Sequence, residues 1–278
     1  MKGILKNVFF LVMSFSRIIR NPSLPKYRLK KTVTGNTSCK ILVNGDSLNN
    51  SFDEICADKT NSFVVNFFVL SPLFFIIKPK YYIIIDPAFW LNINKSETKF
   101  PQWKKIMDEV DWDMNLIVPK EGYKVLRKIL SNPYVRLQPF VYTYVDGIWP
   151  VCRYFYEKNI GTPKLPNVLI AALYSAINLG YNEIQIYGAD FSWTKSICVN
   201  EVNQPCMVDK HFYENSYEMK MTPIEINAEG KIAKLHEYLE EIVDSLKSCW
   251  VIKRYAEEYG VTIINKNKVS FIDAFDKE

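Results

Sequence analysis

The 278-residue chain has little of what most binding sites are built from. It holds two histidines, and its six cysteines (39, 56, 152, 198, 206 and 249) are scattered without a CxxC pair. That argues against a zinc site or a disulfide framework and for a reducing compartment. Cys198 and Cys206 share one loop, but the same composition argues against their pairing. Among its 10 glycines neither GxGxxG nor GxxxxGK[ST] is spelled, which disfavours NAD and P-loop chemistry. No charge-free apolar run approaches the roughly 18 residues of a spanning helix, so a polytopic membrane protein is excluded. No fixed-period repeat is present. With 48% hydrophobic residues and 14% aromatics, disorder and low-complexity scaffolds are excluded too, and the length suits one large domain.

Acidic residues are missing from residues 1–31, which carry Lys2, Lys6, Arg17, Arg20, Lys26, Arg28, Lys30 and Lys31. The other 247 residues hold 27 basic and 30 acidic side chains, so the body is nearly neutral and a protein-wide surface for nucleic acid is not supported. Within the basic arm Ile4, Val8, Leu11, Val12, Phe15, Ile18 and Ile19 recur at helical spacing, the pattern of a helix lying on an anionic membrane surface. A helix docked on the domain's own core and a signal segment are the alternatives. Arg17 and Arg20 and the lack of a small-x-small site weigh against the signal. Pro22 and Pro25 end the segment. Residues 1–31 therefore read as a basic amphipathic membrane-associating segment, and 32–278 as the main domain.

From Ser38 onward short apolar runs alternate with helical patterns. Lys40–Asn44, Phe63–Phe67, Tyr82–Ile85, Asn115–Val118, Glu183–Tyr187 and Val261–Ile264 read as strands, with Val135–Phe140 as strand or loop. Residues 100–110, 120–130, 166–179 and 229–259 read as helices. Continuous apolar strands alternating with helices predict an α/β fold, a single Rossmann-like domain with a mostly parallel sheet covered on both faces. The polar stretch 189–225 is too long for a simple connection and reads as a lid or binding loop.

Ligands of such sheets sit beyond the carboxyl ends of the strands. The residues there are Asn44, Gly45, Asp46 and Ser47; Asn66; Asp86 and Pro87; and Gly188, Ala189 and Asp190. Gly45 would permit close backbone approach, and the helix start after it would offer free N–H groups to a phosphate. Asp46 would repel that phosphate. Asp111-Trp112-Asp113 spells the DxD of metal-dependent glycosyltransferases, but it falls at the opposite end of the sheet and reads as a solvated turn. Glu237, Glu240, Glu241 and Asp244 read as an ion-paired helix face.

The ordered set VNGDSL (43–48), VVNFF (64–68), YYIIIDP (81–87), LIAALYSAINLGYNEIQIYGADFS (169–192) and DKHFYENS (209–216) resembles the bacterial sialyltransferases of glycosyltransferase family 42 and the related Maf-type flagellin glycosylation domain. The resemblance implies a Rossmann-like fold with a mobile lid, a CMP-activated donor, no metal cofactor, inversion at the anomeric carbon and a tendency to form homo-oligomers. It places Asn44, Gly45 and Ser47 on the donor phosphate and ribose, with Asp46 where the family has Pro. Asn66 becomes a donor contact, and Asp86-Pro87 stands for the family's Asn-Pro against nucleotide and sugar. Asn167 is nearest to a Thr-Ser-Gly that meets the donor carboxylate, a motif missing here. Gly188, Asp190 and Phe191 match the Gly-x-Asp-Phe. In the family's His-Tyr-x-x-His-Ser stretch only the first His is kept, as His211, and Asn215 falls near the second.

Transfer to a hydroxyl needs a base that titrates near neutrality, which favours His211. His236 sits in a helical HEYLE context, on a solvated face. Tyr213 and Tyr217 could donate hydrogen bonds to the departing phosphate or pack as aromatic rings. The expectation is a metal-independent, inverting glycosyltransferase, cytoplasmic and peripheral to the inner membrane. It would move a sugar from a nucleotide donor to a glycan or glycolipid acceptor in lipopolysaccharide or other surface polysaccharide synthesis. A pyrophosphokinase-like nucleotide enzyme and a catalytically inactive scaffold are the alternatives.

Overall fold

The computed structural model describes residues 2–22, 24–58, 60–95, 98–208, 221–225 and 231–278. Helix α1 spans Lys2–Arg20, and strand β1 spans Ser38–Leu42. Then come α2 (Phe52–Ala57), β2 (Asn61–Val65), α3 (Leu73–Ile77), β3 (Tyr81–Ile83), α4 (Ala88–Leu91) and α5 (Phe100–Glu109). Next follow β4 (Met114–Pro119), α6 (Lys120–Leu126), β5 (Val135–Phe140), α7 (Trp149–Glu157), α8 (Val168–Leu179) and β6 (Glu183–Tyr187). The chain continues with β7 (Ile197–Val199), β8 (Pro205–Val208), β9 (Met221–Pro223), α9 (Leu235–Glu258), β10 (Thr262–Asn265) and β11 (Asp276–Lys277).

Eight strands form one sheet in the order β11-β10-β6-β1-β2-β3-β4-β5, and every pairing in it is parallel. The expected α/β architecture is therefore present. Chain order runs outward from β1 to β5 on one side, while β6 lies on the other, so the topological switch point falls between β1 and β6. Two apolar cores cover the faces. One joins Ile41, Phe63, Ile186, Leu173, Tyr174 and Ile252 under α8 and α9. The other joins Leu42, Val64, Tyr82, Leu116, Trp103 and Met107 under the α2–α6 side. α8 is buried at every position but Asn178, which explains why it is apolar all round. Asn167 caps its start, and Gly180 with φ 110° ends it.

The differences from the sequence expectations have physical causes. α9 was expected from residue 229 but begins at Leu235, where the Glu237 carboxylate accepts the Lys234 N–H in a capping box. Before it, Ile232 pairs with Glu225 instead of coiling. The 189–225 stretch holds an antiparallel three-stranded sheet, β7-β8-β9. α7 was not foreseen, because its Trp149-Pro150 start has no capping side chain. All six cysteines are free, with Cys198 and Cys206 facing each other across β7 and β8. Burial pushes the Cys152 thiol up to about 11 and the Cys249 thiol up to about 12, so both are neutral and unreactive.

α1 packs on the segment joining β5 to α7: Ser14 is fully buried there. The docked alternative thus describes one face of this helix, and a second face remains exposed. No helix among the described residues is long and apolar enough to cross a membrane.

Candidate functional site

Past the ends of β1 and β6 the two strands stay joined. Val43 N–H donates to Tyr187 O and Gly45 N–H to Gly188 O, both at 2.9 Å. A side chain on Gly45 would collide with Gly188 O and the Asp190 carboxylate, and one on Gly188 (φ +72°) with Val43 O. One close approach that Gly45 permits is thus to the neighbouring strand of its own fold.

The Asp190 carboxylate sits over the turn and is saturated with donors. Ser47 gives it both its N–H (3.2 Å) and its hydroxyl. Asn267 Nδ2 donates to Asp190 Oδ1 at 2.6 Å and to Ser47 Oγ at 3.0 Å. The segment carrying Asn267 is latched in turn, through Ser270 Oγ to Ala189 O (2.6 Å) and Phe271 N–H to Asp190 O (2.9 Å). Two of the N–H groups at the helix start after Gly45 are consequently taken: Ser47 N–H by Asp190, and Leu48 N–H by Gly45 O. Asn267 was missed by sequence reasoning, since it lies beyond β10 and nothing local ties it to residue 47.

On the other side of the turn a cavity of about 760 Å³ opens, within the size range of small-molecule sites. Asn44, Gly45, Asp46, Asn66, Asp86, Pro87, Asn167, Gly188, Asp190 and Phe191 line it. Of the binding residues expected from sequence, only Ser47 is not on its wall.

Three amides here have spare capacity. Asn44 Nδ2 reaches Val65 O at 3.4 Å, while its Oδ1 is buried with no partner. Asn66 Oδ1 is likewise buried and unpartnered. Asn167 Oδ1 caps α8 by accepting Ile170 N–H at 3.2 Å, which fixes the amide's orientation and leaves Nδ2 buried without an acceptor.

Backbone strain collects at the same place. Asn66 (φ 47°) and Phe191 (φ 53°) are left-handed, a conformation that costs a non-glycine residue about 1–3 kcal/mol. The first is held by a relay: Trp103 Nε1–H donates to Tyr82 Oη at 2.8 Å, and the Tyr82 hydroxyl donates to Asn66 O. The second is braced by Trp193, whose ring lies 4.4 Å from that of Phe191.

Asp86 Oδ1 accepts Ala88 N–H at 2.8 Å and starts α4. Asp46 Oδ1 accepts Asn49 Nδ2 at 3.2 Å. Tyr142 donates to Leu165 O at 2.9 Å, and burial raises its phenol pKa. The described lining holds no Lys, Arg or His. His211, Tyr213 and Tyr217, with Asn215, lie outside the described residues.

No model of a known protein family matches the chain, and no curated protein matches it. Among solved structures it is similar to the sialyltransferase CstII from Campylobacter jejuni in complex with cytidine-5'-monophosphate. That match has a TM-score of 0.47 and 12% identity, over 88% of this chain and 86% of the other. The structure of CST-II with a trisaccharide acceptor and CMP gives 0.46 at 12%, over 87% and 85%. The MAf glycosyltransferase from Magnetospirillum magneticum AMB-1 gives 0.49 at 10%. It is matched over 99% of this chain but only 38% of its own length. These likenesses assign no residue a role.

The remaining sequence-derived groups lie elsewhere. Asp111 pairs with Lys78 and Asp113 with Arg136, each at 2.9 Å, on the exposed amino-end side of β4. Among the described residues no cluster of three His, Cys, Asp or Glu could hold a metal. His236 is exposed on α9, and Asp244 pairs with Lys164 instead of a lysine of its own helix.

Proposed function

We propose that the protein is a glycosyltransferase whose cavity at the β1/β6 switch point holds a nucleotide-sugar donor. The observation that carries this is that Asn44, Asn66 and Asn167 all line one cavity of about 760 Å³ and each keeps a buried polar atom without a partner, Oδ1 in the first two and Nδ2 in the third. Each such group costs about 1–3 kcal/mol while unmet, a cost that a ligand with both hydroxyl donors and acceptor oxygens removes. The switch point is where parallel sheets bind nucleotides, and the motif resemblance supports CMP as the leaving group. Asp46, Asp86 and Asp190 around the cavity favour, among CMP-activated sugars, one that turns hydroxyls and not a carboxylate toward them.

In this mechanism an acceptor hydroxyl oxygen attacks the anomeric carbon while the bond to the donor phosphate breaks on the opposite face. Configuration inverts, and CMP departs with the bonding electrons. His211 takes the hydroxyl proton, and Tyr213 and Tyr217 donate to the departing phosphate, a task that falls to side chains without a metal cofactor. The acceptor is a surface glycan or glycolipid assembled at the cytoplasmic side of the inner membrane.

Thermal unfolding with CMP, UDP, GDP and ADP and their sugars, with and without chelator, tests the donor. A ligand at a hundred times its Kd adds about 2.7 kcal/mol. The expected result is stabilisation by CMP that survives chelator. Stabilisation only by a nucleoside diphosphate with Mg²⁺ overturns the metal-free mechanism and favours a pyrophosphokinase-like enzyme. No response to any nucleotide favours an inactive scaffold. His211→Ala should bind CMP normally and lose turnover; retained turnover removes it from the mechanism.

A further inference from the structure

The helical pitch of about 100° per residue divides α1 into three strips. Asn7, Leu11, Ser14 and Ile18 form the strip against the domain. Ser14 Oγ donates to Asp146 O at 2.8 Å and accepts Asp146 N–H at 2.9 Å. Gly147 (φ +126°) lies against the backbones of Asn7 and Leu11, where a side chain would collide. Phe15 meets Phe155 edge-on at 5.6 Å, and just past the helix Asn21 Nδ2 donates to Thr143 Oγ1 at 3.0 Å. The helix is thus clamped to the domain along one side.

The outward strip is apolar and bare. Leu5 is 69% exposed, Phe9 and Val12 are each 61%, and Ile19 is 77%. Val8 lies among them, also exposed. A contiguous apolar surface of this kind marks an interaction site. The third strip, between the other two, carries Lys6, Arg17 and Arg20. None of the ion pairs among the described residues uses them.

Charge identifies the occupant. The strip belongs to a segment with eight basic residues and no acid in its first 31 positions. A second copy facing it across a two-fold axis would bring like charges together. An anionic lipid surface supplies the opposite charge beside an apolar boundary of the right depth. The helix is too polar to cross, so it lies in the plane of the bilayer.

We propose that α1 is a membrane foot. Leu5, Val8, Phe9, Val12 and Ile19 enter the acyl boundary of an anionic bilayer, and Lys6 and Arg20 meet its headgroups. The clamp through Ser14 and Gly147 makes the domain ride on the helix without a flexible tether. The clamped segment also carries Tyr142, whose side chain lines the cavity. One wall of the cavity is thereby tied to the membrane-facing element. This foot is independent of the reaction catalysed.

Co-sedimentation of the full chain tests it, using vesicles of pure phosphatidylcholine and vesicles with one third phosphatidylglycerol. The wild type should partition onto the anionic vesicles, and less so at high salt. Phe9→Glu with Val12→Glu should lower that partition at least about tenfold. Lys6→Glu with Arg20→Glu should lower it by about as much or more. All four positions are exposed, so the variants should keep the wild-type unfolding midpoint and cavity ligand binding, which verifies that they fold. Wild-type partition by the apolar variant overturns the proposal, as does equal binding to both vesicle types. Absence of vesicle binding, with a dimer in solution that Phe9→Glu dissociates, would assign the strip to a second copy.

Discussion

The polar groups at the carboxyl ends of the strands fall into two sets that lie side by side and behave oppositely. Around the Gly45–Ser47 turn the polar groups are joined to one another. Gly45 bonds Gly188, Ser47 bonds Asp190, and Asn267 bonds both. Across the turn, Asn44, Asn66 and Asn167 each keep one buried polar atom unspent. A closed network fixes where the strands end, and an open one marks where something else must bind. The first set should therefore govern stability and the second affinity.

Breaking the closed set should have the largest effect. Gly188→Ala puts a methyl group onto Val43 O in a left-handed conformation, and Gly45→Ala puts one onto Gly188 O. Each should cost more than about 3 kcal/mol in denaturant unfolding. Asp190→Ala strands the Ser47 and Asn267 donors and should cost about 1–3 kcal/mol. An Asp190→Ala protein as stable as the wild type would dissolve the distinction between the two sets.

The open set should do the reverse. Asn167→Asp keeps the oxygen that caps α8 and deletes the unpartnered donor. Stability should hold within about 0.5 kcal/mol while CMP affinity falls about tenfold, the worth of one good hydrogen bond. Asn167→Ala should lose the affinity and also about 1 kcal/mol of cap. Asn66→Gly should stabilise by a fraction of a kcal/mol, because glycine takes the left-handed conformation freely, and should weaken binding as Asn167→Asp does. Titration calorimetry beside thermal unfolding separates the two readouts. Losses of stability and affinity in step would show that the open amides are structural after all.

How much of this was legible in the sequence follows the same division. Asn44, Asn66, Asp86 and Asp190 were singled out because a parallel sheet puts its ligand at strand ends, a rule that needs only the apolar runs before them; Asn167, which starts a helix, came only from the family resemblance. The closed network escaped because it is built from distance. Asn267 lies 220 positions from Ser47, and Gly45 is demanded by a strand that begins at Glu183. Docking of α1 was among the alternatives, but its contact points escaped for a related reason: they are Ser14 and Gly147, a small polar residue and a glycine that no hydrophobic pattern registers.

Away from the cavity, a spent pair gives a control that responds to pH. Lys40 is buried and donates from Nζ to the carbonyls of Ile55 (2.9 Å) and Asp58 (2.8 Å), with the Asp58 carboxylate 3.3 Å away. Partial burial pushes the Asp58 pKa up, but Thr60 and Lys40 outweigh it and hold it below the ordinary value. A depressed folded pKa stabilises above the unfolded value and loses that contribution as pH falls through the folded one. Asp58→Asn should thus lower stability at neutral pH and flatten the loss below about pH 4, with no change in ligand binding. An acid limb as steep as the wild type's would assign that pH dependence to other carboxylates.

The smallest effect is expected at the opposite end of the sheet, where Asp111 and Asp113 spell a metal motif without a metal's surroundings. Their partners, Lys78 and Arg136, are exposed too, and exposed ion pairs contribute about 0–1 kcal/mol. Asp111→Asn with Asp113→Asn should shift stability by no more than about 0.5 kcal/mol and leave turnover, and its response to chelator, as in the wild type. The strand-end rule predicts this directly, because a nucleotide at the β1/β6 switch point has the length of β4 between it and these carboxylates. If turnover instead fell with the double substitution and with chelator alike, the site would have to lie at the amino ends. The open amides of Asn44, Asn66 and Asn167 would then have no ligand to explain them.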